Sequence, residues 1–229
     1  GRPQTTAPAE MAAYLSIMRN PQDRDPRGYI VSADQPDFLT ATKFVNALIK
    51  TGIGIQRATA PFAVQGKEYP AGSFVVKTAQ AFRPHILDMF EPQDHPNDFA
   101  YPGGPPKRPY DNAGYTLAFQ MGVKFDRILE PFNGPFQVIQ GLATPEPQTI
   151  AGAASPAGYL VSHALNDAFI AVNRALKANA DVFVLRAPMA ANGHTYPAGS
   201  FYIAATPATT GMMTDLGKNN GVTSEGGRG

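Results

Sequence analysis

Tyr69-Pro70-Ala71-Gly72-Ser73-Phe74 is written twice in this chain, returning letter for letter as Tyr196-Pro197-Ala198-Gly199-Ser200-Phe201. At the same offset Ala60-Pro61 meets Ala187-Pro188, Gly66 meets Gly193, and Val45-Asn46 meets Val172-Asn173. One short gap between Ser32 and Val45 then lays Gly28-Tyr29-Ile30-Val31-Ser32 over Gly158-Tyr159-Leu160-Val161-Ser162. A six-letter identity with matching flanks points to an internal repeat of about fifty residues, which sets the expected architecture. In each hexapeptide the proline presets φ for the second position of a turn, and the glycine permits an unusual backbone angle at its close. The flanking Tyr and Phe can then bury on either side, so the stretch reads as a structural turn rather than a ligand loop.

Working outward, residues 29–32 form an apolar run suited to a buried strand. Asp37 can cap a helix whose apolar positions Phe38, Ala41, Val45, Leu48 and Ile49 make one stripe ending near Gly52. Residues 53–58 read as a second strand. Strand, helix, strand is the βαβ pattern, which implies a right-handed crossover and parallel pairing. Gln65-Gly66-Lys67 marks a turn ahead of the hexapeptide, and residues 74–76 make a strand after it. The second copy runs strand (159–161), helix (166–178), strand (181–186), hairpin and strand (201–204). A helix containing Met212, Met213 and Leu216 follows. The expected fold class is therefore α/β, with duplicated βαβ-plus-hairpin units and flanking helices.

The rest of the chain divides around these units. Residues 1–27 hold a disordered start, a short amphipathic helix on Met11, Tyr14, Leu15 and Met18, and a charged linker. The first unit, 28–143, continues with a helix opened by Arg83-Pro84 and running to Phe90. A Pro-rich and Gly-rich loop over 91–112 comes next, of a length that suggests function or an arm over a neighbour. Asp111 or Asn112 caps a helix to Met121, and strands follow at 123–129 and 136–139. Residues 144–157 read as a linker, 158–217 as the second, shorter unit, and 218–229 as a flexible polar tail. The second copy stops where the first continues, so the sequence reads as a piece of a longer polypeptide.

Composition narrows the function classes. With 229 residues, 43% of them hydrophobic and 16% charged, the chain can bury an ordinary core. A net charge of +1 gives no electrostatic footprint for nucleic acid or an anionic membrane. No apolar run approaches the ~20 residues of a membrane span. The absence of cysteine excludes disulfides, thiolate nucleophiles and Cys-ligated metals within this sequence.

Candidate chemistry is sparse. His85 and Asp88 are spaced i, i+3 on a helix, with Asp94, His95 and Asp98 in the following loop, which are metal-ligating residue types. No His-Glu-x-x-His spacing supports them, and solvated side chains are the simpler reading. His163 follows a strand, a favoured place for functional groups in open α/β sheets, and Asp167 lies four residues on. Ala33 stands at the matching place in the first copy, so the repeat does not require that histidine. His194 sits in a hairpin and is expected to be exposed. Neither hexapeptide is a Gly-x-Ser-x-Gly elbow, and Gly52-Ile53-Gly54 precedes a strand, the wrong order for a dinucleotide fingerprint. Arg57, Arg83, Lys107 and Arg108 could line an anion site near the long loop, though scattered solvated charge is the default. No catalytic, cofactor-binding or metal-ligating residue is assigned.

One family resemblance emerges from several motifs together. These are Tyr29-Ile30-Val31-Ser32-Ala33-Asp34-Gln35, Arg57-Ala58-Thr59-Ala60-Pro61-Phe62, the first hexapeptide, Arg83-Pro84, Glu91-Pro92-Gln93, Tyr101-Pro102-Gly103-Gly104-Pro105-Pro106, Pro109-Tyr110-Asp111 and Gln120-Met121-Gly122-Val123. Together they resemble the region after the catalytic domain in large bacterial zinc carboxypeptidases of the carboxypeptidase-A-like family. The second copy resembles the segment that follows in those proteins. Parts of that region look like class I glutamine amidotransferase domains, which implies a flavodoxin-like, parallel-rich sheet. The family's zinc site uses a His-x-x-Glu motif, whereas His85-Ile86-Leu87-Asp88 and His95-Pro96-Asn97-Asp98 carry Asp in that place. An amidotransferase nucleophile would be a cysteine, which this chain lacks.

The resemblance implies a non-catalytic accessory region of an exported protein, with zinc confined to the parent's catalytic domain. Its partners would be that catalytic domain and, through the 91–112 loop, a second copy, with no nucleic acid or membrane partner. The competing expectation is a ligand-binding module with a small molecule at the carboxyl ends of the strands, near Ser32-Ala33-Asp34 and Ser162-His163.

Overall fold

The computed structural model describes residues 8–21, 24–92, 97–108, 116–152 and 155–227. The chain divides into two compact units, Gly1–Asp34 with Leu48–Gln140, and Gln35–Ala47 with Gly141–Gly229. Among the described residues it is a mixed α/β protein with six helices, two five-stranded sheets and two two-stranded ones.

In unit 1, helix α1 (Pro8–Arg19) leaves Met11, Tyr14, Leu15 and Met18 exposed, so its apolar stripe does not join the core. Strand β1 (Gly28–Val31) is wholly buried, as its unbroken apolar sequence requires. Helix α2 (Phe38–Lys50) straddles the division between the units, and Asp37 Oδ1 caps it by accepting from the Thr40 N–H at 3.0 Å. Then come β2 (Gln56–Ala58), β3 (Phe62–Val64), β4 (Lys67–Tyr69) and β5 (Phe74–Lys77). Helices α3 (Arg83–Phe90) and α4 (Leu117–Gln120) and strands β6 (Asp126–Ile128) and β7 (Phe136–Val138) complete the unit. The start of the helix expected from Asp111 or Asn112 lies outside the described residues.

Strands β3 and β4 form a hairpin turned by Gln65 and Gly66, both at positive φ (53° and 81°), which suits the right-handed twist of a two-residue loop. The hexapeptide follows as a tight turn. Gly72 has φ of 86° and donates its N–H to Ala58 O at 2.8 Å. Ser73 Oγ donates to Pro70 O at 2.8 Å and accepts from the Ala33 N–H at 3.1 Å. That turn delivers β5 into the slot between β1 and β2, antiparallel to both, in the sheet order β6-β1-β5-β2-β7. The strands on either side of α2 therefore run the same way but never pair. Ile30, Phe62, Tyr69, Val75, Ile128 and Phe132 fill the core on one side, with Phe136 packed against them.

Unit 2 contains β8 (Ala151–Gly152), β9 (Gly158–Val161), α5 (Ala168–Lys177), β10 (Val182–Val184), β11 (Met189–Ala191), β12 (His194–Tyr196), β13 (Phe201–Ala204), α6 (Pro207–Asn220) and β14 (Glu225–Gly227). Its large sheet has the order β10-β13-β9-β14-β8. The parallel-rich, flavodoxin-like or glutamine-amidotransferase-like sheet is thus corrected in both units. Of all the pairings between described strands, β14 with β8 alone is parallel. Tyr159, Val161, Ala171, Ile203, Met213 and Leu216 build the core together with Leu39 of α2.

Two further expectations give way here. The stretch 144–157, read as a linker, supplies β8. The stretch 218–229, read as a flexible tail, finishes α6, buries Val222, Ser224 and Glu225, and enters the sheet as β14. Glycine makes this approach possible: a Cβ on Gly152 would lie 2.6 Å from Gly226 O. Helix α6 is well bounded, with reciprocal Thr206 and Thr209 capping bonds at its start and Gly221 at φ of 72° at its end.

Candidate functional site

The hairpin β11–β12 turns through Asn192 and Gly193 (φ 47° and 85°) and pairs Ala191 with His194 and Met189 with Tyr196. Alternation along a strand sends His194 and Tyr196 to one face, and Asn192 joins them from the turn. All three side chains converge on Glu225 of β14, which is 4% exposed. His194 Nδ1 pairs with Glu225 Oε1, and Asn192 Nδ2 reaches Oε2 and Gly226 O at 3.4 Å each. The Tyr196 hydroxyl is also hydrogen-bonded to this carboxylate. Burial first, and then the Glu225 charge, push its pKa up to about 12. Several donors around one carboxylate are what make a charge tolerable away from water.

A cleft of about 420 Å³ opens beside this cluster, lined by Gln148, Thr149, Ser162, His194, Thr195 and Thr223 among others. Hydroxyl and amide groups stand there among walls that are mostly apolar, with Ala151, Tyr196 and Pro197. A second hollow of about 470 Å³ uses Gly152, Met189, Asn192, Gly226 and Gly227 among others, so beyond Met189 and Asn192 it offers mostly backbone and small side chains. The first is the better candidate on chemistry. With Nδ1 committed to Glu225, His194 has Nε2 left for a ligand, and its side chain is 73% exposed. An imidazole backed by a carboxylate has the form of a general base. Ser162 Oγ, which shares the cleft, accepts from the Ala164 N–H at 3.2 Å.

Unit 1 holds a second cluster of a hairpin and a carboxylate. Lys67 Nζ pairs with Asp126 Oδ2 at 2.7 Å and lies 5.4 Å from the centroid of the Tyr69 ring. Tyr69 is hydrogen-bonded to Asp126, and burial, then that carboxylate, push its hydroxyl well above the ordinary tyrosine range.

The residues singled out from sequence are dispersed. His85 Nε2 lies 2.9 Å from Thr51 Oγ1, Asp88 is exposed, and Asp98 pairs with Lys107 at 3.1 Å. Asp94 and His95 lie outside the described residues, and no group of three metal-ligating side chains forms among the described ones. His163 is exposed and packs over the second hexapeptide, where a Cβ on Gly199 would lie 3.3 Å from its Nδ1. Asp167 is buried and pairs with Lys43, so it does not serve His163 as an acid–base partner. Just past the end of β1, Ala33 is tied to Ser73 and Asp34 is exposed. Gly52 and Gly54 flank a buried Ile53, and the Gln80 amide holds Gly54 through both its N–H and its carbonyl. The candidate anion-binding residues are engaged with other groups or solvated. Arg57 lies over the Phe74 ring at 5.1 Å, Arg83 pairs with Asp25, and Arg108 is exposed. In the described part of the 91–112 loop, Phe99 bridges to Pro106 and both Phe99 and Tyr101 are exposed.

Sequence reasoning missed Asn192, Tyr196 and Glu225 as a group. The available signal was register: a basic residue and a tyrosine two apart in each hairpin, Lys67 with Tyr69 and His194 with Tyr196.

No protein family, curated protein or solved structure matches the chain.

Proposed function

We propose that the chain is a non-catalytic accessory region of an exported zinc carboxypeptidase-like protein, and that its unit 2 cleft engages a polar chain segment of substrate or partner. The observation that carries the binding role is the cleft itself. Ser162, Thr195 and Thr223 present hydroxyls there, and His194 offers a ring nitrogen that Glu225 does not use. Such a set can hydrogen-bond the amide groups of a chain segment, while Ala151, Tyr196 and Pro197 take its apolar parts. The tie to a peptidase rests on the motif resemblance between residues 28 and 132. In the same reading the two hexapeptides and their flanking elements descend from one duplicated unit, supported by six identical letters at a constant offset.

A small-molecule module is the second reading, favoured by Ser162, which stands at the carboxyl end of β9 and lines the cleft. Titration by heteronuclear NMR with short peptides bearing free or amidated C-termini, and with small hydroxy and keto acids, separates the two. Peptide-dependent shifts at Ser162, His194 and Thr195 support the first reading, and shifts with the acids alone support the second. Zinc-dependent release of C-terminal residues by the chain itself would overturn the non-catalytic assignment.

A further inference from the structure

We propose that two copies of this chain associate through the outer edge of β10, which pairs antiparallel with the same strand of the second copy. This rests on the sheet edge and is independent of the cleft.

Strand β10 ends the order of its sheet, so β13 covers its inner side alone. The register pairs Val182 with Ile203, Phe183 with Tyr202 and Val184 with Phe201. Flanking bonds run from the Leu185 N–H to Ser200 O and from the Ala204 N–H to Asp181 O, both within 2.9 Å. In an antiparallel ladder alternate residues send both backbone polar groups to the same side. Residues 181, 183 and 185 therefore face β13, and Val182 and Val184 present N–H and C=O outward.

The side chains at this edge carry none of the usual protection. Phe183 and Val184 are 56% and 58% exposed, and neither charge nor proline interrupts Val182-Phe183-Val184-Leu185. The Phe183 ring lies 6.3 Å from that of Tyr202, extending one apolar face inward from the edge. In unit 1 the matching side of β2 is already taken, because β7 pairs Gln56 with Val138, Arg57 with Gln137 and Ala58 with Phe136. No described strand does this for β10.

The self-pairing register follows from which groups point outward. A two-fold axis beside Phe183 sets Phe183 opposite its own copy at a non-hydrogen-bonded position, where side chains come closest. Val182 then faces Val184 of the second copy in a hydrogen-bonded pair, once on each side of the axis. Antiparallel pairing also brings Asp181 of one copy to the end of the ladder where Arg186 of the other stands. Parallel pairing would gather like charges.

The chain has no cysteine, so single introduced thiols report the register without interference. On mild oxidation Phe183→Cys should give a disulfide-linked dimer, since cross-strand partners lie within bridging distance. Val182→Cys and Val184→Cys should each stay largely unlinked alone and cross-link when mixed. In light scattering the unmodified chain should show a concentration-dependent dimer. Val184→Pro should abolish it with an unchanged circular dichroism spectrum, because that N–H serves no bond among the described residues. Phe183→Lys should do the same if the proline variant misfolds. A chain that stays monomeric at high concentration overturns the proposal. So does a dimer that persists in both folded variants, or an edge that takes an added Phe-Gln-Val-Ile peptide but never its own copy.

Discussion

Two hairpins clasp two carboxylates, and the clasps differ in how each is made. In unit 1, Lys67 and Tyr69 of β4 hold Asp126, which stands opposite Ile30 of β1. In unit 2, His194 and Tyr196 of β12, with Asn192 from the turn, hold Glu225, which stands opposite Leu160 of β9. Asp126 keeps a third of its side chain exposed, whereas Glu225 is nearly closed off. The lysine clasp is a partly solvated ion pair, which is worth little on its own. The histidine clasp surrounds a buried acid, so losing the acid strands the buried Tyr196 hydroxyl. The same local geometry thus serves as a trim in one unit and as a closure in the other.

The largest test of that contrast is removal of the acids. Glu225→Ala should destabilise unit 2 by about 2–3 kcal/mol, by leaving the Tyr196 hydroxyl without its acceptor and loosening β14. Asp126→Ala should cost at most about 1 kcal/mol. Urea unfolding with amide exchange read at β9 and β1 compares them, and equal losses would erase the distinction. A second contrast lies in the hexapeptide serines. Ser73→Ala removes the acceptor for Ala33 N–H and should cost about 1 kcal/mol. Ser200 Oγ is buried without a hydrogen-bond partner among the described residues, so Ser200→Ala should be neutral or slightly stabilising by thermal melting.

The tyrosines predict an alkaline limit. Tyr196 titrates near pH 12 when folded and near 10 when unfolded, so the unfolded state loses its proton first. The stability this hydroxyl lends is complete below about pH 10 and is lost as pH rises toward 12. Tyr196→Phe should flatten that part of the pH–stability curve, and Tyr69→Phe should flatten it further, since Tyr69 is raised as well. An unchanged alkaline slope in both variants would refute the buried-hydroxyl account. The smallest effect belongs to His194→Lys, which copies the unit 1 pairing. It should move stability at neutral pH by less than about 0.5 kcal/mol. A larger gain would mean that His194 is held in place for a ligand, not for Glu225.

The hexapeptide and its flanks made the turns, hairpins and α2 legible, because each is set by nearby residues such as Gly72, Asp37 and Gly66. Pairing order was not legible. Reading β1, α2 and β2 as a crossover gave the strand directions, but nothing local says that β5 slots between them. Ser224-Glu225-Gly226-Gly227 has little strand propensity, and its burial comes from β9 and β8 on either side. The spacing of His163 and Asp167 suggested a pair, yet the carboxylate goes to Lys43, far away in sequence. His194 is exposed, as its place in a hairpin implies, but its partner in β14 is set only by the tertiary fold.

The late position of β14 also bears on synthesis. Unit 2 joins residues 35–47 to a sheet in which Glu225–Gly227 is one of the inner strands. At ribosomal speeds the first of these segments emerges roughly ten seconds or more before the last. Through that interval Leu39 has no finished core to enter.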